Sequence, residues 1–96
     1  MQPNRLGLEL RRLRQGLGLR QRDLASHISV TPAFVSQLEN GLAPPPCEAK
    51  LRLLANLLQV DPDVFIALAG RIPSDVTDLL QAKPHLWNGV RQAAQN

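Results

Sequence analysis

Few side chains in this sequence stand where they could make or break a bond. His27 and His85 lie far apart, and neither neighbours a cysteine, serine or acid in a known catalytic arrangement. Asp75 and Asp78 share a helix face at i, i+3, the pattern of solvated or capping carboxylates on a short amphipathic helix. Asp61 and Asp63 flank Pro62, which is helix-start chemistry. Cys47 is the single cysteine, so an internal disulfide and a cysteine-rich zinc site are both excluded. No glycine-rich phosphate cradle and no metal-ligand spacing is present. The expectation is a binding protein, not an enzyme, with no metal and no cofactor. One stretch, SVTPAFVSQLENG from Ser29 to Gly41, has the composition of a binding surface. Its helix shows the core only Val35 and Leu38, and turns Ala33, Phe34, Ser36 and Gln37 outward.

Charge says what such a surface would meet. The net charge is +3, but residues 1–60 carry eight Lys or Arg against four acids, while 61–96 carry three against four. Arg5, Arg11, Arg12, Arg14, Arg20 and Arg22 are concentrated near the start. A basic half points to a polyanion, nucleic acid before membrane. The apolar runs are too short to span a bilayer and no signal-peptide pattern is present, so a reducing, cytoplasmic setting is expected. At 96 residues the chain is one small globular unit, and its only aromatics are Phe34, Phe65 and Trp87. A core of Leu, Val, Ile and Ala follows, which suits helices.

The elements that must hold these residues are short helices. Leu6, Leu10, Leu13 and Leu17 mark one face of the first, with Asn4 as its cap and Gly16 to Gly18 as its end. Leu24, Ala25 and Ile28 point inward from a second, whose cap position holds Arg20, a side chain that cannot accept a hydrogen bond. Asp23 in its first turn compensates in part. Thr31 caps the third, Pro32 sits at its first position and Gly41 closes it. After the extended LAPPP loop comes a fourth from about Cys47, with Leu51, Leu54, Ala55 and Leu58 inward. Asp61 and Pro62 start a fifth with Val64, Phe65 and Leu68 inward, and Gly70 stops it. Two more are expected, from Ser74 to about Ala82 and from Pro84 to about Ala94. The fold class is all-α.

Residues 6–68 resemble the phage-repressor and Cro type of helix-turn-helix DNA-binding domain, the XRE family. The carrying residues are LRRLR at 10–14, Gln21, LA at 24–25, VT at 30–31, VSQLENG at 35–41, Pro46, LLA at 53–55 and LQV at 58–60. The resemblance implies a five-helix, lambda-repressor-like domain over 5–69, with a helical extension over 70–96. It implies that the third helix enters the major groove of double-stranded DNA. Base reading would then fall to Pro32, Ala33, Phe34, Ser36 and Gln37, the glutamine amide pairing with an adenine edge. Phosphate contacts would come from Gln21, Thr31, Asn40 and the arginines Arg11, Arg14 and Arg20. It also suggests an ion pair of Arg14 with Glu39. Three departures stand out. Ser29 replaces the usual turn glycine, at a cost of ~1 kcal/mol. Arg20 replaces a Ser or Thr cap, and the LAPPP loop offers no basic residue.

Beyond Gly70, the extension carries Ile72, Val76, Leu79, Leu80, Leu86, Trp87 and Val90. That is more apolar surface than two short helices bury by themselves. It is expected to pack partly on the fifth helix and partly on a second copy, since readers of this kind bind two half-sites as two-fold dimers. Intramolecular capping of the core is the alternative. The leading reading is a repressor on a palindromic operator. The second is an antitoxin-like protein whose tail binds a protein partner, with DNA binding as autoregulation.

Overall fold

The computed structural model describes residues 5–95, which form seven α-helices and no strand. Helices α1 (Arg5–Gly16), α2 (Gln21–His27), α3 (Pro32–Glu39), α4 (Glu48–Leu58) and α5 (Pro62–Leu68) surround one core. Helices α6 (Ser74–Ala82) and α7 (Trp87–Gln95), joined by a 3-10 turn at Pro84–Leu86, form the extension. The expected cap Asn4 lies outside the described residues.

The core is aliphatic apart from Phe65, and each of the five helices contributes to it. Leu6 and Leu10 of α1, Leu24, Ala25 and Ile28 around α2, and Val35 and Leu38 of α3 are all buried. So are the four inward residues of α4. Each fully buried leucine contributes ~1.5–3 kcal/mol relative to exposure. Two expectations fail by phase. Leu17 is 44% exposed, because α1 ends at Gly16 before the leucine repeat does. Val64 is 58% exposed and Ile66 is fully buried in its place. Seven residues are too few for periodicity to settle which of two adjacent phases faces inward.

All five helices end alike. At each terminus one N–H reaches back five residues and the preceding one reaches back three, as in Val30 to Ala25 at 2.9 Å with Ser29 to Ser26 at 3.4 Å. The residue between must be left-handed. At α3 this is Gly41, at φ 73°, but at α2 it is Ser29, at 59°, and at α4 it is Gln59, at 61°. The strain expected at Ser29 is therefore present, and Gln59 adds a second instance that the sequence pattern did not disclose.

The start of the extension is fastened to the domain. Arg71 donates to the carbonyls of Pro45 and Pro46, the latter buried. Glu48, the first residue of α4, accepts from the Ser74 N–H at 2.8 Å and the Ser74 hydroxyl at 2.9 Å, and so caps α6 from outside. These donors hold the Glu48 carboxyl below its usual range, the Ser74 backbone bond first. Leu80 is buried in its own protomer, and Val76 is half-buried. From Gln81 to Gln95 every residue is exposed. The radius of gyration is 14.9 Å, against about 12 Å for a compact domain of this length, because the extension projects.

Candidate nucleic-acid interface

The surface of interest is the outer side of α3. Thr31 starts the helix with its hydroxyl oxygen accepting from the Phe34 N–H at 3.1 Å, and Pro32 takes the first position, where its missing N–H is not needed. Val35, Leu38 and Glu39 pin the inner side. Pro32, Ala33 and Gln37 are exposed along the outer side, with Ser36 half-buried at its edge. Phe34 is also half-buried and packs against the core, so it is only partly turned outward, where the sequence pattern expected it outside.

Beneath that surface lies a buried carboxylate. Glu39 has a fully buried side chain and receives donors from three residues on two helices, Arg11 and Arg14 of α1 and Gln21 of α2. Arg14 gives it Nε at 2.6 Å and Nη2 at 3.0 Å, in a two-pronged pair. Gln21 gives Nε2 at 3.1 Å and Arg11 gives Nε at 3.4 Å. Burial by itself raises the Glu39 carboxyl, but the bonds from Arg14 and Gln21 and the arginine charge outweigh it and hold the group below the ordinary 4.5. Arg14 also donates to the Leu19 carbonyl at 3.0 Å, which ties in the turn between α1 and α2.

A second feature makes this approach possible. A Cβ on Gly7 would fall 2.5 Å from the Leu38 carbonyl oxygen and 2.7 Å from that of Glu39. Gly7, Arg11 and Arg14 share one side of α1. The absence of a side chain at Gly7 lets the end of α3 come against α1 while the two arginines grip it. In sequence the only trace of this is a glycine inside a helical pattern, which has many other meanings.

Other expected residues stand as follows. Arg11 reaches past Glu39 to the Asn40 amide oxygen at 2.6 Å, with its side chain 39% exposed. Asn40 is exposed at the end of α3. Gln21 lies half-buried at the start of α2, its amide N–H engaged by Glu39. Arg20 is open to solvent and leans on Asp23, which accepts the Arg20 backbone N–H at 2.8 Å. That backbone bond, then the side-chain one, lowers the Asp23 carboxyl. The missing cap of α2 is thus replaced by a carboxylate reaching back from its first turn. Arg12 pairs with Glu9 on the opposite side of α1, away from α3. Sequence reasoning paired Glu39 with Arg14 alone; the links to Arg11 and Gln21 have no spacing signature, since they join three separate helices.

A short helix, a tight turn through a left-handed residue, and a second helix that buries one side and offers the other define a helix-turn-helix. The chain belongs to the helix-turn-helix domain family, which matches residues 5–68, in agreement with the resemblance to the phage-repressor and Cro type. Such a domain makes it a DNA-binding regulator in class. The match ends with α5 and takes in neither α6 nor α7. No curated protein matches the chain. Among the described residues, no helix is long and apolar enough to cross a membrane.

Proposed function

We propose that the protein is a sequence-specific transcriptional regulator that represses by occupying a palindromic operator as a two-fold dimer. The observation that carries this is the outer side of α3. Pro32, Ala33 and Gln37 are open to solvent on a helix that Val35, Leu38 and Glu39 hold rigidly from behind. Gln37 pairs with an adenine edge, Ala33 and Phe34 meet a thymine methyl, and Ser36 and Pro32 border the contact. Thr31, Gln21, Asn40, Arg11 and Arg20 meet the phosphates on either side, while Arg14, shielded in its pair with Glu39, orients them instead of touching the backbone itself, so the residue pairs around Glu39 also set the register of α3 in the groove. Residues 5–69 read the DNA and residues 70–96 pair the two copies. An antitoxin-like role, with the tail gripping a different protein, is the second reading. It is favoured by the fully exposed stretch from Gln81 to Gln95.

Selection of bound sequences from random duplexes tests the main reading. It should return an inverted repeat with half-sites about 10 base pairs apart, centre to centre. Gln37→Ala should weaken the selected site by ~1–3 kcal/mol and relax one position per half-site. Arg11→Ala should weaken all duplexes alike and reduce the salt slope by about 0.9. Unchanged specificity in Gln37→Ala would mean that α3 is not the reading helix.

A further inference from the structure

We propose that α7 of one chain docks on α6 of a second copy, in a reciprocal two-fold exchange that sets Arg91 of each against Asp75 and Asp78 of the other. This rests on the reading of the protein as a dimer and specifies the surface that makes it one.

Helix α7 is nine residues long, and none of them is buried. An isolated helix of that length is marginal in water unless one face is covered. Its sequence supplies such a face: Trp87, Val90 and Ala94 recur at i, i+3, i+7, and Trp87 and Val90 are 39% and 52% exposed. Arg91, one turn after Trp87, borders that stripe. Helix α6 offers the counterpart. Pro73 and Leu80 are buried within the protomer, which leaves Leu79 outward and 47% exposed. Asp75 lies one turn before Leu79 on the same side, with Asp78 beside it.

The two faces complement each other, an apolar stripe edged by a cation and an apolar site edged by two carboxylates. Arg91, Asp75 and Asp78 have no ion-pair partner within the protomer among the described residues. Both halves of the match belong to the same chain, and α7 projects instead of folding back on its own α6. A self-complementary patch of this kind is what a closed two-fold interface requires, because each contact then occurs twice. A different protein would have to match both faces independently. Fastening of the extension at Arg71 and Glu48 gives the pairing a fixed position relative to α3.

The test is charge reversal on the full chain, read by sedimentation equilibrium over the micromolar range. The parent should be a dimer. Arg91→Asp and the double variant Asp75→Arg/Asp78→Arg should each raise the dimer Kd by about tenfold or more, because like charges then face each other. An equimolar mixture should restore the parent affinity, since both contacts of the mixed dimer again join opposite charges. Trp87→Ala should be monomeric. Circular dichroism of each variant checks that the domain itself stays folded. A monomeric parent, a dimer indifferent to both reversals, or a mixture no tighter than its components would overturn the proposal; the last would show that the contact forms within one chain. Single half-site duplexes separate this from the DNA reading. Charge-reversed monomers that still bind them leave that reading intact whatever the tail does, and a dimeric parent that ignores every duplex refutes that reading and leaves the tail pairing standing.

Discussion

Replacing Glu39 by alanine removes the acceptor on which α1, α2 and α3 converge. The Glu39 side chain is 0% exposed and that of Arg14 only 12%, so the variant leaves a guanidinium shielded from water with its two-pronged partner gone. Breaking a buried pair from one side costs about 3–5 kcal/mol. The share lost with Arg11 is small, because its side chain is 39% exposed and water replaces the carboxylate. A domain of this size has a total stability of about 5–15 kcal/mol, so Glu39→Ala should lose about a fifth of it or more. Urea unfolding followed by circular dichroism measures the loss directly. The double variant Arg14→Met/Glu39→Leu should regain most of it, since neither charge is then buried alone. Acid gives an independent readout. The Glu39 carboxyl is lowered in the folded protein, so its contribution is complete above the ordinary 4.5 and disappears as pH falls through the lowered value. Glu39→Gln should therefore flatten the acid limb of the stability curve. The reasoning fails if Glu39→Ala loses less than about 1 kcal/mol, or if the double variant is no more stable than the single one.

Two further substitutions address the backbone. Ser29→Gly relieves a left-handed residue worth ~1–2 kcal/mol, less ~0.5–1 kcal/mol of added chain entropy, so the melting temperature should rise by a few degrees. Gly41→Ala, at a site of the same conformation, should lower it; a fall with Ser29→Gly or a rise with Gly41→Ala would show that the helix-end geometry is misread. Gly7→Ala gains ~1 kcal/mol of helix propensity but drives a methyl group into two carbonyl oxygens. Net destabilisation, with weakened operator binding as α3 tilts, is expected; a more stable variant would mean that α1 and α3 are not in contact there.

Much of the fold was legible because the signals are local. Thr31 and Pro32, Asp61 and Pro62, and the glycines at 41 and 70 mark helix limits through bonds made within a few residues, and the structure has those limits. The buried face of α4 was readable for the same reason, since Leu51, Leu54, Ala55 and Leu58 repeat over two turns, and in α2 the i, i+1, i+4 spacing of Leu24, Ala25 and Ile28 was enough despite unusual ends. The outward side of α3 followed by subtraction: once Val35 and Leu38 are placed, Ala33 and Gln37 have only solvent left.

What the sequence determined by itself was therefore the set of helices, their ends, the concentration of arginines before residue 23 and the outward side of α3, because each depends on chain neighbours. Tertiary structure alone decided which donors meet Glu39, that Gly7 abuts the end of α3, that Glu48 caps α6, and that Leu80 turns inward while Leu79 does not. These are contacts between residues far apart in the chain, set by how the helices cross, and no spacing rule along one helix encodes them.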